Sequence, residues 1–236
     1  MALLSPPPVA PLPSSIVIRP LSLPGSRPLH ETISLFLDIG QGAGLAGASG
    51  VRPYLPPLLA GALARGDVGI DFEDTSYEFL EQPWFLVIVL AIAVAAYFLD
   101  RTRGTRPDES HDPVALGLGA IGMVLGALLF AGSLADGGHD SWPGLIYGAI
   151  AAGLGYMAVA QLFARARRRL RAAATDDSSG APNLLDAYAD VIALALAGLS
   201  ILAPPVGIVA VIAFLVLLLR ARRGGGQKYE GLRILR

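Results

Sequence analysis

The stretch SGVRPYLPP, residues 49–57, decides how this chain folds. It interrupts an apolar region, Thr32–Ala64, with one arginine and three prolines. As a single helix that region would be about 50 Å long, too long for one straight crossing of a hydrocarbon layer about 30 Å thick. Pro53 pushes Arg52 towards extended geometry. Gly50 can take dihedrals closed to other residues, and Pro53 suits the first position of a new helix. The pattern predicts two helical pieces, 32–48 and 53–64, around an unwound Ser49–Arg52. Non-helical backbone at membrane depth is tolerated only inside protein or beside a water-filled cavity.

Composition sets the surroundings of this break. Of 236 residues, 53% are hydrophobic and only 16% charged, well below the ~25% charged of a soluble domain. Mean hydropathy is +0.57. Such a chain reads as an all-α, polytopic transmembrane helix bundle. There is no cysteine, and His30, His111 and His139 lie far apart, so no metal-ligand spacing exists and no cofactor is expected. No nucleic-acid partner is expected. Residues 1–30 hold eight prolines and read as a flexible tail, 31–223 as the transmembrane domain, and 224–236 as a basic tail.

Further apolar runs are Trp84–Leu99, Val114–Ala135, Trp142–Ala164 and Asn183–Leu219, the last split by Pro204 and Pro205. The segment Asp67–Glu81 carries six acids and no base, and the turn 136–141 carries no base. Arginines gather instead at 101–106, at Arg165, Arg167, Arg168, Arg169 and Arg171, and after Leu219. By the positive-inside rule these basic segments are cytoplasmic. A hairpin turning at 204–205 returns the C-terminus inside. The same alternation makes the first region cross an odd number of times, giving six crossings with both termini cytoplasmic. The 165–171 arginines suit contact with anionic lipid. Glycine and alanine recur at four-residue steps: Gly40/Gly44/Ala48, Gly122/Gly126 and Gly144/Gly148/Ala152. This suits close helix packing, within one bundle or in a homo-oligomer. LAGASG (45–50) and LAGLSI (196–201), each followed by prolines, look alike by chance or through shared hinge chemistry.

The break also suggests a site. A second helical piece would aim its N-terminal N–H groups at the gap, and Arg52 adds a full charge: an anion site formed by Ser49, Gly50, Arg52, Pro53 and Tyr54. Glu31, Ser34, Asp38 and Gln41 share one helical face, and Asn183, Asp186 and Asp190 share another. Ionisable groups in spans face the protein interior, so Arg52 is expected to pair with Asp38, Asp186 or Asp190. Alternatively Arg52 snorkels from an interfacial loop, and Asp186 and Asp190 counter the arginine cluster in the headgroup zone. The GQGAG run, 40–44, follows no strand and is no phosphate loop. The acidic 67–81 segment reads as a solvated face without a calcium-loop pattern.

GLAGASGVRPYLPPLLAGALARG, 44–66, resembles the N-terminal signature of an uncharacterised bacterial integral membrane family, a domain of unknown function of the DUF4126 type. Gly50, Arg52, Pro53, Tyr54, Leu55 and Pro56 match that signature. In NLLDAYADVIALALAGLSILAPP, 183–205, Asn183 and Asp190 match, whereas Ala189 stands where the family has Glu. Asp100 and Arg101 fit its middle loop loosely, and Pro107 is displaced. The resemblance implies a membrane fold and no established activity.

Two functions fit. One is binding or translocation of an anionic solute or lipid headgroup at Arg52, with Asp38 or Asp190 carrying a coupling proton. The other is a non-catalytic structural or accessory protein packing with membrane partners. An enzyme is the weakest expectation, since no Ser/His/Asp or Cys/His set appears.

Overall fold

The computed structural model describes residues 26–103, 113–173 and 181–230. These form seven α-helices and one 3-10 turn, with no strand among the described residues. In chain order they are α1 (Ser26–Val51), α2 (Leu55–Ala64), α3 (Pro83–Arg103), α4 (Pro113–Asp136), α5 (Trp142–Ala173), α6 (Ala181–Leu202) and α7 (Pro205–Glu230). Each opens with a proline among its first three residues, where the missing N–H would have no helical partner anyway. α1 begins at Ser26, inside the stretch read as tail, and α7 runs past Leu219 to Glu230.

α1 is the central helix. Residues 40–51, GQGAGLAGASGV, are all buried, as befits a helix enclosed on every side. It packs against α4, α5, α6 and α7. Small residues make this possible. A Cβ at Gly40 would meet the Pro204 carbonyl, one at Gly44 the Ser200 side chain, and one at Gly50 the Ala152 carbonyl. The other small-residue rows serve the same bundle. A Cβ on Gly126 would come within 2.8 Å of Ala152, and one on Gly148 within 2.7 Å of Ala127.

The break at 49–57 differs from expectation. α1 continues through Ser49 and Gly50 to Val51, and the gap is Arg52–Tyr54. Helical N–H groups point backwards, so Pro53 takes nothing from the residues before it: the Arg52 N–H still reaches the Ala48 carbonyl at 3.0 Å. What Pro53 frees is the Ser49 carbonyl, and Gly122 of α4 lies against it. Pro53 does not start the next helix; Leu55 does, with Pro56 beside it. Gly50 is helical and is required for close approach to α5, not for unusual dihedrals.

A second correction concerns direction. Gln41 Nε2 donates to the Gly69 carbonyl at 3.1 Å, and the Asp71 N–H faces Asp136 Oδ2 at 3.4 Å. Ser133 Oγ donates to the Asp38 carbonyl at 3.1 Å. Residues 38–41, 66–71 and 133–139 therefore meet at one end of the bundle. α1 and α2 form a hairpin that enters from that end and returns to it, rather than two pieces running on in one direction. α2, with 10 residues, is about 15 Å long and spans nothing by itself.

The split at 204–205 is present. α6 ends at Leu202 and α7 starts at Pro205, with the Ala203 N–H closing on the Leu199 carbonyl at 2.7 Å. The likeness between the two hinges has a physical basis. Ser49 Oγ donates to the Leu45 carbonyl at 2.9 Å, and Ser200 Oγ to the Leu196 carbonyl at 2.6 Å. Each hinge thus has a fully buried serine bonding four residues back, a local bond that favours bending, just before the proline break. The two tips lie at opposite ends of the bundle.

By length and composition two helical stretches, Val114–Asp136 and Trp142–Ala166, suffice to cross a membrane. Pro83–Leu99, Ala187–Leu202 and Pro205–Ala221 are shorter apolar stretches. The two longer stretches are what length and composition show; six crossings are not shown.

Candidate functional site

Arg52 occupies the tip of the α1–α2 hairpin. Its Nε lies 2.7 Å from Oδ1 of Asp190 on α6. The arginine side chain is 16% exposed and the aspartate 45%, so the pair is sheltered on one side and open on the other. An apolar cluster borders it: Val51, Ala158, Ala189, Ala193, Phe214 and Leu218. Of the three carboxylates expected to pair with Arg52, it is Asp190 that does so. Asp186 and Asn183 lie in the first turns of α6, with side chains outside the described residues.

The α2 N-terminus is a poor cradle for an anion. Pro53, Pro56 and Pro57 have no N–H to offer, and the Leu58 N–H is taken by the Tyr54 carbonyl at 3.3 Å. The same prolines that break the helix leave few donors at its end. Ser49 is fully buried, with its hydroxyl committed to Leu45, and Gly50 is packed on α5. At the tip, positive charge comes chiefly from the Arg52 guanidinium, and Asp190 stands against it.

Asp38 belongs to the other end. Fourteen residues of helix, about 21 Å, separate it from Arg52. Its Oδ2 lies 3.1 Å from His139 Nδ1, both side chains being mostly sheltered. The shared polar face of α1 divides its work: Ser34 Oγ bonds the Glu31 carbonyl, Asp38 meets His139, and Gln41 bonds Gly69. His139 was not legible as a partner, since its turn is distant in sequence.

The arginine cluster lies on the last turns of α5. Arg165 is exposed, and its Nη2 donates to the Ala221 carbonyl of α7 at 2.7 Å. It thus ties α5 to α7. The side chains of Arg167, Arg168, Arg169 and Arg171 lie outside the described residues. Among the described residues no group of three or more His, Asp or Glu side chains is placed to hold a metal.

A helical bundle with two membrane-length helices, a central glycine-rich helix and a proline-broken hairpin tipped by an ion-paired arginine defines the class. Within it, the family described as Domain of unknown function (DUF4126) matches residues 39–223, and the chain belongs to that family. Neither a curated protein nor a solved structure matches the chain.

Proposed function

We propose that this is a multi-pass membrane protein that engages an anionic group, of a solute or a lipid headgroup, at Arg52, with Asp190 as the resident counter-ion that the anion displaces. The observation that carries it is the 2.7 Å pair with its lopsided exposure: a sheltered guanidinium, and a carboxylate open on one side. Depth supports it. Gly50 packs on Ala152, ten residues and about 15 Å along α5 from the interfacial ring of Trp142. That is half of a hydrocarbon layer about 30 Å thick. Ionised side chains at such depth cost about 2.5–3.5 kcal/mol each on insertion scales and mark functional positions. α3 to α7 then cross the layer, with the basic ends of α5 and α7 cytoplasmic. The α1–α2 hairpin dips in from the opposite face, and α1 starts on that face.

A second function is favoured by the prolines at 53, 56 and 57, which leave few backbone donors for an anion. The pair would then be a latch that fixes the hairpin to α6 in a scaffold protein. Purified protein in nanodiscs separates the two, using thermal unfolding with inorganic phosphate or with added phosphatidylglycerol as probe. Anion engagement predicts stabilisation by the probe, enhanced in Asp190→Asn and absent in Arg52→Gln. A latch predicts that both variants lose stability and that no form responds to either probe.

A further inference from the structure

Between α2 and α3 the chain forms a segment, residues 66–82, folded over the end of the bundle where α1 and α2 return. Three side chains anchor it in the core: Ile70 is 3% exposed, Phe72 0% and Leu80 1%. Phe72 lies on Gly132 of α4, where a Cβ would come within 2.7 Å of its ring, and the Leu80 carbonyl lies on Gly61 of α2. Phe79 packs edge-on against Phe85 of α3, ring centres 5.5 Å apart. Most of the segment's own bonds are local turns, such as the Thr75 N–H to the Phe72 carbonyl and the Leu80 N–H to the Tyr77 carbonyl. Among the described residues three reach distant segments: Gln41 to Gly69, the Asp71 N–H to Asp136, and the Tyr77 hydroxyl to Ser141.

Next to Leu80 sits Glu81, 7% exposed, in a segment whose other acids are exposed or, for Asp71, half-buried. One of its oxygens, Oε2, is buried without a hydrogen-bond partner. The Phe72 N–H hydrogen-bonds to its carboxyl group. Asp71, Glu73 and Glu78 surround it with like charge. The neighbouring elements do not relieve this. α3 opens with apolar residues, and α4 presents Asp136, which faces Asp71. α1 presents Asp38, already matched by His139 of the 136–141 turn, and α2 ends beside the exposed Arg65. An ionised carboxylate in that position bears a desolvation cost and repulsion together; a protonated one gains a donor and loses the repulsion. Burial, and after it the neighbouring acids, push Glu81 above the usual carboxylate range, against the opposing Phe72 bond.

We propose that residues 66–82 are a proton-sensitive cap, held down over Phe72 and Leu80 while Glu81 is neutral and loosened as Glu81 ionises. Since Gly69 in the cap holds Gln41 of α1, loosening it also releases the base of the α1–α2 hairpin. The cap is independent of any ligand at Arg52.

Amide hydrogen exchange of the 66–82 peptide tests this, in the full-length protein from about pH 4 to pH 9, with exchange times scaled for intrinsic chemistry. Protection is expected to fall by about tenfold or more in one step as pH rises. Glu81→Gln should stay protected throughout. A Glu73→Gln, Glu78→Gln double variant, which removes repulsion without touching the buried side chain, should move the step to lower pH. A Glu81→Gln protein that opens as the parent does, or a parent with no step, overturns the proposal, as does a step that the double variant leaves in place.

Discussion

Gln41 Nε2 on α1 donates to the Gly69 carbonyl, 28 positions later in the chain, across 3.1 Å. This bond closes the base of the hairpin whose tip is Arg52. Gln41 is 6% exposed, so its loss leaves a carbonyl that water does not readily repair. Gln41→Leu is expected to cost about 1–3 kcal/mol, the cost of an unsatisfied buried group, read as a lower unfolding midpoint in mild detergent.

Close approach at α1 gives the sharpest contrast among glycines. A Cβ at Gly44 would strike Ser200 and come within 2.7 Å of the Gly207 backbone, whereas one at Gly117 meets nothing within 4 Å. Gly44→Ala is expected to destabilise by about 1–3 kcal/mol or to prevent assembly. Gly117→Ala, in the second turn of α4 with free space, should gain up to about 0.5–1 kcal/mol. Equal effects from the two would contradict the packing.

Removing one partner of a fully buried ion pair costs about 3–5 kcal/mol. The Asp190 side chain is 45% exposed, so Arg52→Ala should cost less, with solvent screening what remains. A double-mutant cycle with Asp190→Ala measures the coupling; a value near zero would remove the pair from any account of the hairpin.

Arg165→Ala deletes the bond to the Ala221 carbonyl, and Arg165→Lys keeps the charge but not the fork that reaches it. Both should raise amide exchange at the end of α7. Recovery in the lysine variant would assign the effect to charge alone.

Glu81 predicts a pH dependence of stability with a definite sign. Burial raises its pKa in the folded protein, so the folded state binds the proton more tightly than the unfolded chain. Stability then falls as pH rises from the usual carboxylate range through the raised value. Glu81→Gln should flatten that slope and exceed the parent in unfolding temperature at neutral pH.

Much of this was legible from sequence, and the misses have physical causes. Proline chemistry at 53 and 204–205 located both breaks to within a few residues. The first was set too early because a proline disrupts bonds ahead of it in the ladder while the preceding N–H groups keep theirs. Counting arginines gave the ends of α5 and α7 a common side. The same counting treats each apolar region by its flanks, so it could not see that α1 and the short α2 turn back on one another. Asp38 was expected among the partners of Arg52, yet fourteen residues of helix rise put it beyond any side chain's reach. Its real partner, His139, and the burial of Glu81 depend on contacts between distant segments, which no spacing encodes. The glycine run 40–50 reads as weakly hydrophobic, and only its neighbours reveal it as the centre of the bundle.

That central position has a consequence for biogenesis. α1 rests on α4, α5, α6 and α7, most of which leave the ribosome long after it. In the membrane placement proposed above, a glycine-rich helix joined to a partner about 15 Å long has little to hold it in lipid while it waits. The hairpin should therefore remain accessible to the insertion machinery until α7 is made, and chains truncated before Pro205 should be recognised by membrane proteases as unfinished.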